Sequence, residues 1–421
     1  MLRPLFALAL LAGVLGSAVA QQPVSLPTDL PPLSVPPVLF EGPILPNGTT
    51  VSQPLQESLP DPLLDPVPRI VRTPEVARGP IPKSWSSGEV LILWTQPQNL
   101  PPLLTASRSD IPTLGGPNTV LLLGGGRSDP PPSTGARFVL GWSMGTRSGL
   151  EISYLFTGTQ TSHDRVGPSG VILGRPVLHA DTGLEDVIPV NTPSMPGTFR
   201  AWSSTRVQSW GVTALTNFFD GENLTVHGLI GYRYFMLNGG LRFEQDSSFR
   251  GIDSTFRSST ADQIDAHNRF HGGELGLRSE LTRGPFSLQL ETKVALGKTV
   301  EVVRVGGQTV GVIDGIGGTT TQWFNGGVFG QPSNSGRTVH SHFGVLPEGG
   351  LKLGYKYGDR ARFSVGYTVV YLSDAVRPAD QIDRTVDLNQ FGGASGERPA
   401  PLFVRSDFWI QGVTLGMDWR Y

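Results

Sequence analysis

The chain has no cysteine, little charge and a single long apolar run, and each scarcity excludes something. Without cysteine there is neither a disulfide framework nor a thiolate metal site. Asp, Glu, Lys and Arg together make up 16% of 421 residues, low for a soluble domain, and a net charge of −2 offers no grip on nucleic acid. The apolar run is N-terminal: Arg3, an apolar core over residues 5–15, then Ala18-Val19-Ala20 before Gln21. That is the layout of a secretory signal peptide over residues 1–20, cleaved after Ala20, and with no cysteine at the new N-terminus the exported chain is not a lipoprotein. No other run approaches the length of a spanning helix, so an exported chain of this kind crosses a membrane only as a closed barrel of strands.

What is abundant is glycine (54) and proline (36), in different places. Residues 21–83 are punctuated throughout by proline, as in Leu30-Pro31-Pro32 and Leu59-Pro60-Asp61-Pro62. Neither a helix nor a central strand tolerates that, and a disordered periplasmic segment of polyproline II and coil is expected, with contact to the cell wall as its sharper role. Residues 84–421 alternate instead.

The C-terminal stretch is the clearest. Val413, Leu415, Met417, Trp419 and Tyr421 fall on one face, and Gly412, Thr414, Gly416, Asp418 and Arg420 on the other. This is a period-two strand whose apolar face ends in aromatics. In a soluble sheet such a face would be wasted at a frayed end; in a membrane barrel lipid covers it and closure removes the edge. The spacing of Thr414, Gly416, Trp419 and Tyr421 resembles the C-terminal signal read by the bacterial outer-membrane assembly machinery.

Nine further segments alternate likewise, near 85–95, 136–144, 150–156, 207–218, 226–234, 274–281, 286–296, 351–357 and 363–369. In the cleanest pair Leu275, Leu277 and Leu281 oppose Glu274, Arg278 and Glu280, and Phe286, Leu288 and Leu290 oppose Ser287, Gln289 and Glu291. Connections at Gly145-Thr146-Arg147, Asp220-Gly221-Glu222, Thr282-Arg283-Gly284 and Gly358-Asp359 are tight. Those at 96–135, 158–206, 237–267, 298–339 and 374–405 are long. Short and long alternate strictly, which predicts a transmembrane antiparallel up-and-down β-barrel of about ten strands in the bacterial outer membrane, both termini periplasmic. An extra hairpin near 302–312 would make twelve. Pro347 cannot donate to a ladder, so a bulge or break is expected there.

The face opposite the lipid carries Arg137, Glu151, Arg233, Glu274, Arg278, Glu280, Glu291, Lys293, Lys352 and Arg362. Both signs are mixed, which fits either a polar pore lining or a packed ion network. About ten strands leave little width for side chains this long, so the network is favoured. Gly141, Gly231, Gly276, Gly366 and Gly416 lie between them and would admit long neighbours.

Two features invite chemistry. His340 and His342 near the end of one segment, and Asp262, Asp265 and His267 before another, suggest a hydrolase at the barrel rim, but no defining motif surrounds them. Gly124-Gly125-Gly126-Arg127 lacks the lysine and strand-to-helix context of a phosphate loop. Neither a cofactor nor a metal is expected, nor an enzyme.

Asn268-Arg269-Phe270-His271-Gly272-Gly273-Glu274-Leu275-Gly276, Val345-Leu346-Pro347-Glu348 and Val376-Arg377-Pro378-Ala379-Asp380-Gln381-Ile382-Asp383-Arg384 resemble the bacterial beta-barrel porins of family seven. So do Glu89-Val90-Leu91-Ile92-Leu93-Trp94, Gly231-Tyr232-Arg233-Tyr234 and Ser406-Asp407-Phe408-Trp409. The likeness spans roughly residues 85–421, with the Arg-Pro…Gln-Ile-Asp-Arg run its most specific part. It departs at Ala379, where glycine is expected, at Glu274, where glutamine is expected, and at His271, where an aromatic is expected. The resemblance implies an outer-membrane barrel and brings no catalytic residues. The expected function is therefore porin-like: a narrow or plugged barrel with a structural or limited-diffusion role, whose partners are outer-membrane lipid and the assembly machinery. The alternative is surface recognition or adhesion through the long loops.

Overall fold

The computed structural model describes residues 83–393 and 395–421; the signal peptide and residues 21–82 of the proline-rich segment lie outside the described residues. Ten strands close into a ring: β1 (Ser84–Thr95), β2 (Ser133–Ser143), β3 (Ser148–Thr157), β4 (Gly197–Asp220), β5 (Leu224–Arg250), β6 (Ser254–Arg283), β7 (Phe286–Gly315), β8 (Gly336–Tyr357), β9 (Ala361–Val376) and β10 (Arg405–Arg420). Each pairs antiparallel with its neighbours in chain order. β10 closes on β1 from Trp85↔Arg420 to Thr95↔Ile410, so no edge of the ring is left open.

The four tight connections lie at one end. The tightest has two residues, Gly284-Pro285, between the paired Arg283 and Phe286. Gly284 takes φ +61°, which a side chain would resist, and Pro285 then has no N–H to leave unpaired. In the half of the barrel next to these turns the outward residues are apolar and exposed: Val90, Ile230, Leu275, Leu288, Leu353 and Leu415 among them. Exposed leucine in a continuous band is costly in water and favourable in lipid.

The long connections differ from expectation. The stretches 237–267 and 298–339 are not loops for most of their length, because β5, β6 and β7 run on far beyond the apolar band. Alternation continues, but the faces exchange character. Leu237, Leu241 and Phe243 point inward and are buried, while Asn238, Arg242 and Glu244 on the same strand point out. The strand does not stop at the membrane surface; its surroundings change from lipid to water. The extra hairpin exists as Gly318–Asn325 paired with β7, but it stands outside the ring, so the ring has ten strands and not twelve.

Pro347 does not break β8, whose register with β7 passes through Val294↔Pro347 without a shift. The irregularity falls on β9, between Leu372 and Ala375, where Asp374 takes φ +54°. The β8–β9 ladder ends at Glu348↔Val370, and the Val345 N–H donates to the Ser373 hydroxyl instead (3.0 Å). Alternation puts the missing Pro347 N–H on this same side, so the proline sits just where the ladder has stopped.

The other three long connections fold into the wide mouth. Leu104–Ser107, Val120–Leu123, Ile172–His179, Glu185–Asn191 and Thr385–Val386 form a five-stranded sheet. Its buried Leu104, Leu173, Val177 and Val386 pack on the inward Phe199, Leu241, Phe243 and Ile264 of the ring.

Candidate functional site

Inside the apolar band the inward side chains are charged and touch one another. From Lys352 the chain of contacts runs to Glu89, then to Arg137 (3.7 Å), Glu348 (3.0 Å) and Arg233. It continues to Glu274 (3.9 Å), Lys293 (3.8 Å) and Glu291 (2.8 Å), then to Arg278. Both terminal nitrogens of Arg278 donate to the two oxygens of Glu151 at 2.8 Å, a fork that fixes orientation as well as charge. Trp85 Nε1 donates to Glu151 (2.9 Å) and ends the series. Five cations meet five carboxylates. A second group lies nearer the turns, where Arg362 binds Glu280 (2.6 Å) and Asp418 (2.7 Å), and Arg420 stands 3.8 Å from Glu280.

All ten residues expected on this face are in these two groups. Glu348, the hub between Arg137 and Arg233, is not among the ten, because Pro347 obscures the facing just before the strand that the alternation reveals. Glu89 and Asp418 stand at inward positions of recognisable strands and belong to the row as well.

Glycines make the room. A Cβ on Gly276 would stand 2.8 Å from Lys293 Cγ, one on Gly366 2.8 Å from Lys352 Cγ, and one on Gly416 2.9 Å from Glu89 Cγ. A cavity of about 430 Å³ remains, lined by the network together with Trp85, Thr225, Thr282 and Arg420 from the turn end.

One inward step farther from the turns, strand after strand changes from charged to apolar. Glu89 is followed by Leu91 and Leu93 on β1, Arg233 by Phe235 on β5, Lys293 by Ala295 on β7, and Glu348 is preceded by Leu346 on β8. Phe270, Val370, Leu372, Phe408 and Ile410 complete a buried layer across the lumen. Beyond it the mouth is held by Arg175 of the loop sheet, which is fully buried. Its guanidinium binds Asp262 of β6 (2.8 Å) and lies 4.6 Å from the centre of the Phe329 ring and 5.4 Å from that of Phe199. Burial pushes the Arg175 pKa below its usual value, against the pull of Asp262.

The histidines and acids suggested for a rim site are not brought together. Asp262 points inward, taken by Arg175 and by the N–H groups of Phe329 (2.8 Å) and Gly330 (2.9 Å). His267, of opposite parity on the same strand, bonds Asn238 (2.9 Å), and Asp265 accepts from Gln263 (2.9 Å). His340 packs at a tilt against Phe403, and His342 lies 3.3 Å from Glu301 without hydrogen-bond geometry. Among the described residues no group of three or more His, Cys, Asp or Glu is arranged to hold a metal ion.

Residues 85–421 match the family described as Putative beta barrel porin-7 (BBP7). The chain belongs to this family. Membership makes it a porin-like barrel of the outer membrane. Among solved structures it is similar to the outer membrane protease OmpT from Escherichia coli, at 9% identity and a TM-score of 0.40, covering 82% of this chain and 99% of that one. A FadL homologue of Pseudomonas aeruginosa is matched at 8% identity and a TM-score of 0.21, covering 80% of this chain and 90% of that one. The toluene transporter TodX of Pseudomonas putida is matched at 5% identity and a TM-score of 0.22, with 81% and 90% covered. Among curated proteins none matches.

The stretches that carry the porin-7 resemblance have definite places in the barrel. Arg377 donates to the carbonyls of Gln96 (2.7 Å) and Pro97 (2.8 Å), fixing the β9–β10 connection against the end of β1. Gln381 pairs with the Val404 backbone in both directions, Ile382 enters the core at the mouth, and Arg384 reaches Glu185 of the loop sheet (2.6 Å). Of the three departures, Ala379 is buried in that core, Glu274 stands in the ion network, and His271 Nδ1 meets the Tyr232 hydroxyl at 2.7 Å on the outer face. At the C-terminus Thr414 and Gly416 face inward, while Trp419 and Tyr421 follow the outward parity of Leu415, their rings 6.5 Å apart.

Proposed function

We propose that this porin-7 barrel is closed along its axis and serves envelope architecture or very limited diffusion. The observation that carries this reading is the succession of fillings: a charge-balanced network, then an apolar layer from Leu91 to Ile410, then a folded sheet in the mouth. Water and ions would have to cross all three. In the same reading the signal peptide is removed after Ala20, both termini are periplasmic, and the long connections face outward. Thr414, Gly416, Trp419 and Tyr421 are then read by the assembly machinery, and residues 21–83 trail toward the cell wall. No catalytic role is included. The test is conductance of the purified full-length barrel in planar bilayers, together with solute-dependent swelling of liposomes. Little or no steady current is expected, and a large ohmic conductance would sink the proposal.

A second reading, recognition at the surface, is favoured by one feature. Among the described residues Gly318–Asn325 pairs with β7 on one side only, all eight of its residues are exposed, and none is charged. An unprotected edge of Thr, Gln, Trp and Phe is a template for an added strand. Replacing Thr321, whose N–H points to the open side, by Pro should abolish capture of any extended peptide that binds there; unchanged capture would dismiss the edge as the site.

A further inference from the structure

The outward face just beyond the apolar band is not uniform around the ring. On β4 to β6 the band ends in rings that touch: Trp210 lies 5.5 Å from Tyr232 and 5.8 Å from Tyr234, and Tyr234 lies 4.9 Å from His271, centre to centre. Such rings mark the level where tails give way to headgroups. Level with these rings and just beyond them, on the same outward parity, stand Lys298, Arg269 and Arg206, all exposed. Lys298 is directly opposite His271, Arg269 is two residues farther out on β6, and Arg206, opposite Asn238 and through it level with His267, lies two residues beyond Arg269. None of the three has a carboxylate within ion-pairing distance among the described residues. Arg206 and Lys298 are three strand spacings apart, roughly 14 Å, and four residues offset along the strands, roughly 13 Å. Farther out Arg304 is paired directly with Arg337, a like-charge juxtaposition that costs stability unless an anion lies over it; Asp265 flanks Arg304 alone. On the opposite side of the ring, β10 carries Asp407 two residues beyond Trp409, so the cations are gathered on one flank.

We infer that β4 to β8 form a binding site for a membrane lipid whose headgroup carries two or more phosphates. Its tails would lie on the leucine band, its sugar or glycerol on the Trp210–Tyr232–Tyr234–His271 rings, and its phosphates between Arg206, Arg269 and Lys298. Arginine gives each phosphate two parallel donors, and a basic residue near an anionic surface is drawn to it. This deepens the outer-membrane placement proposed above and rests on it for the choice of leaflet.

The experiment uses the full-length barrel in phosphatidylcholine vesicles, with bisphosphorylated lipid A, its dephosphorylated form and inorganic phosphate as probes. Binding is read as the shift in thermal unfolding and by native mass spectrometry. The bisphosphorylated lipid should raise the unfolding temperature and remain attached, and the dephosphorylated lipid should not. The triple variant Arg206→Gln, Arg269→Gln, Lys298→Gln should lose at least tenfold in apparent affinity, while Arg147→Gln with Arg360→Gln, at the turn end, should keep it. Equal binding by the triple variant and the unmodified protein would overturn the site. Competition by inorganic phosphate as strong as by the lipid would make it a free-anion site and overturn the lipid assignment. A cysteine introduced at Ile252 reports the leaflet separately: labelling in intact cells supports the outer one, and labelling only after permeabilisation overturns that part.

Discussion

Removing the Glu348 carboxylate should be among the most damaging single changes in the barrel. Glu348 lies between two guanidinium groups, 3.0 Å from Arg137 and in direct contact with Arg233, and its side chain is 7% exposed. In Glu348→Ala, Arg137 retains Glu89 at 3.7 Å and Arg233 retains Glu274 at 3.9 Å, both farther away than the Glu348 carboxylate is in the unmodified protein. Two unit charges about 4 Å apart attract by about 4 kcal/mol at an effective dielectric near 20. Two such attractions vanish, but water from the 430 Å³ cavity can rehydrate part of what is exposed. The net cost expected is about 3–5 kcal/mol, the usual penalty for orphaning a buried charge. The double variant Glu348→Leu with Arg233→Met removes one charge of each sign and fills the space with apolar atoms. It should recover most of that loss, because an apolar pair of similar volume often replaces a buried ion pair without cost. Urea titration of the barrel in vesicles, followed by tryptophan fluorescence and by the mobility of unboiled samples, gives both numbers. If Glu348→Ala lies within about 0.5 kcal/mol of the unmodified protein, the network is solvated and the closed lumen loses its main support.

Three further outcomes follow from the same geometry. Leu415 faces out at 54% exposure between Val90 and Val365, so Leu415→Arg should cost roughly 2–4 kcal/mol in vesicles; a cost below that of a surface change would mean this face is not in lipid. Asp383 lies in the β9–β10 connection: burial would raise its pKa, but the N–H groups of Ala400 (2.8 Å) and Thr385 (2.9 Å) and the Arg398 guanidinium outweigh this and hold it below the ordinary value. A carboxylate depressed on folding stabilises above its unfolded pKa of about 3.9 and loses that contribution as pH falls through the folded value. Hydrogen exchange over residues 378–404 should therefore stay slow down to about pH 4 and rise below it, and loosening already near pH 6 would contradict the assignment. A chain ending at Arg420 should give less heat-modifiable, membrane-inserted protein than the full chain, with little change in the stability of what does assemble; equal yields would reduce Tyr421 to an ordinary strand end.

The ring is legible in the sequence because lipid imposes a simple code. Wherever the outward face is apolar and the inward face polar, as in Leu275 to Leu281 against Glu274 to Glu280, the strand can be read with its facing. The code fails where lipid ends. Leu237, Leu241 and Phe243 continue the alternation of β5, but apolar now means inward, and a reader expecting the opposite sees a loop. The apolar layer of Leu91, Leu93, Phe270 and Phe408 is hidden for a related reason. β1 is apolar on both faces from Val90 to Trp94, so its inward leucines look like part of an unbroken run. The sheet in the mouth cannot be read at all, since its strands are short and one of them pairs across more than two hundred residues, Thr385 with Leu178.

Low charge and high glycine, which look like separate peculiarities of composition, meet in the lumen. A barrel wall facing lipid can place charged groups only inside, and there each must find a partner of opposite sign, which keeps their number small and their sum near zero. Side chains as long as Lys293, Lys352 and Glu89 reach their partners by passing over neighbouring strands, and Gly276, Gly366 and Gly416 lie on those paths with no room for a methyl group. Substituting alanine at any of the three would push a charged chain off its partner, so the glycines carry part of the electrostatic design without bearing any charge. The inward steps that follow the network are apolar, Leu91, Phe235, Ala295 and Leu346, and on these the proposal of a closed lumen rests. Under the closed-lumen proposal, opening such a barrel would need apolar layer and network to move together.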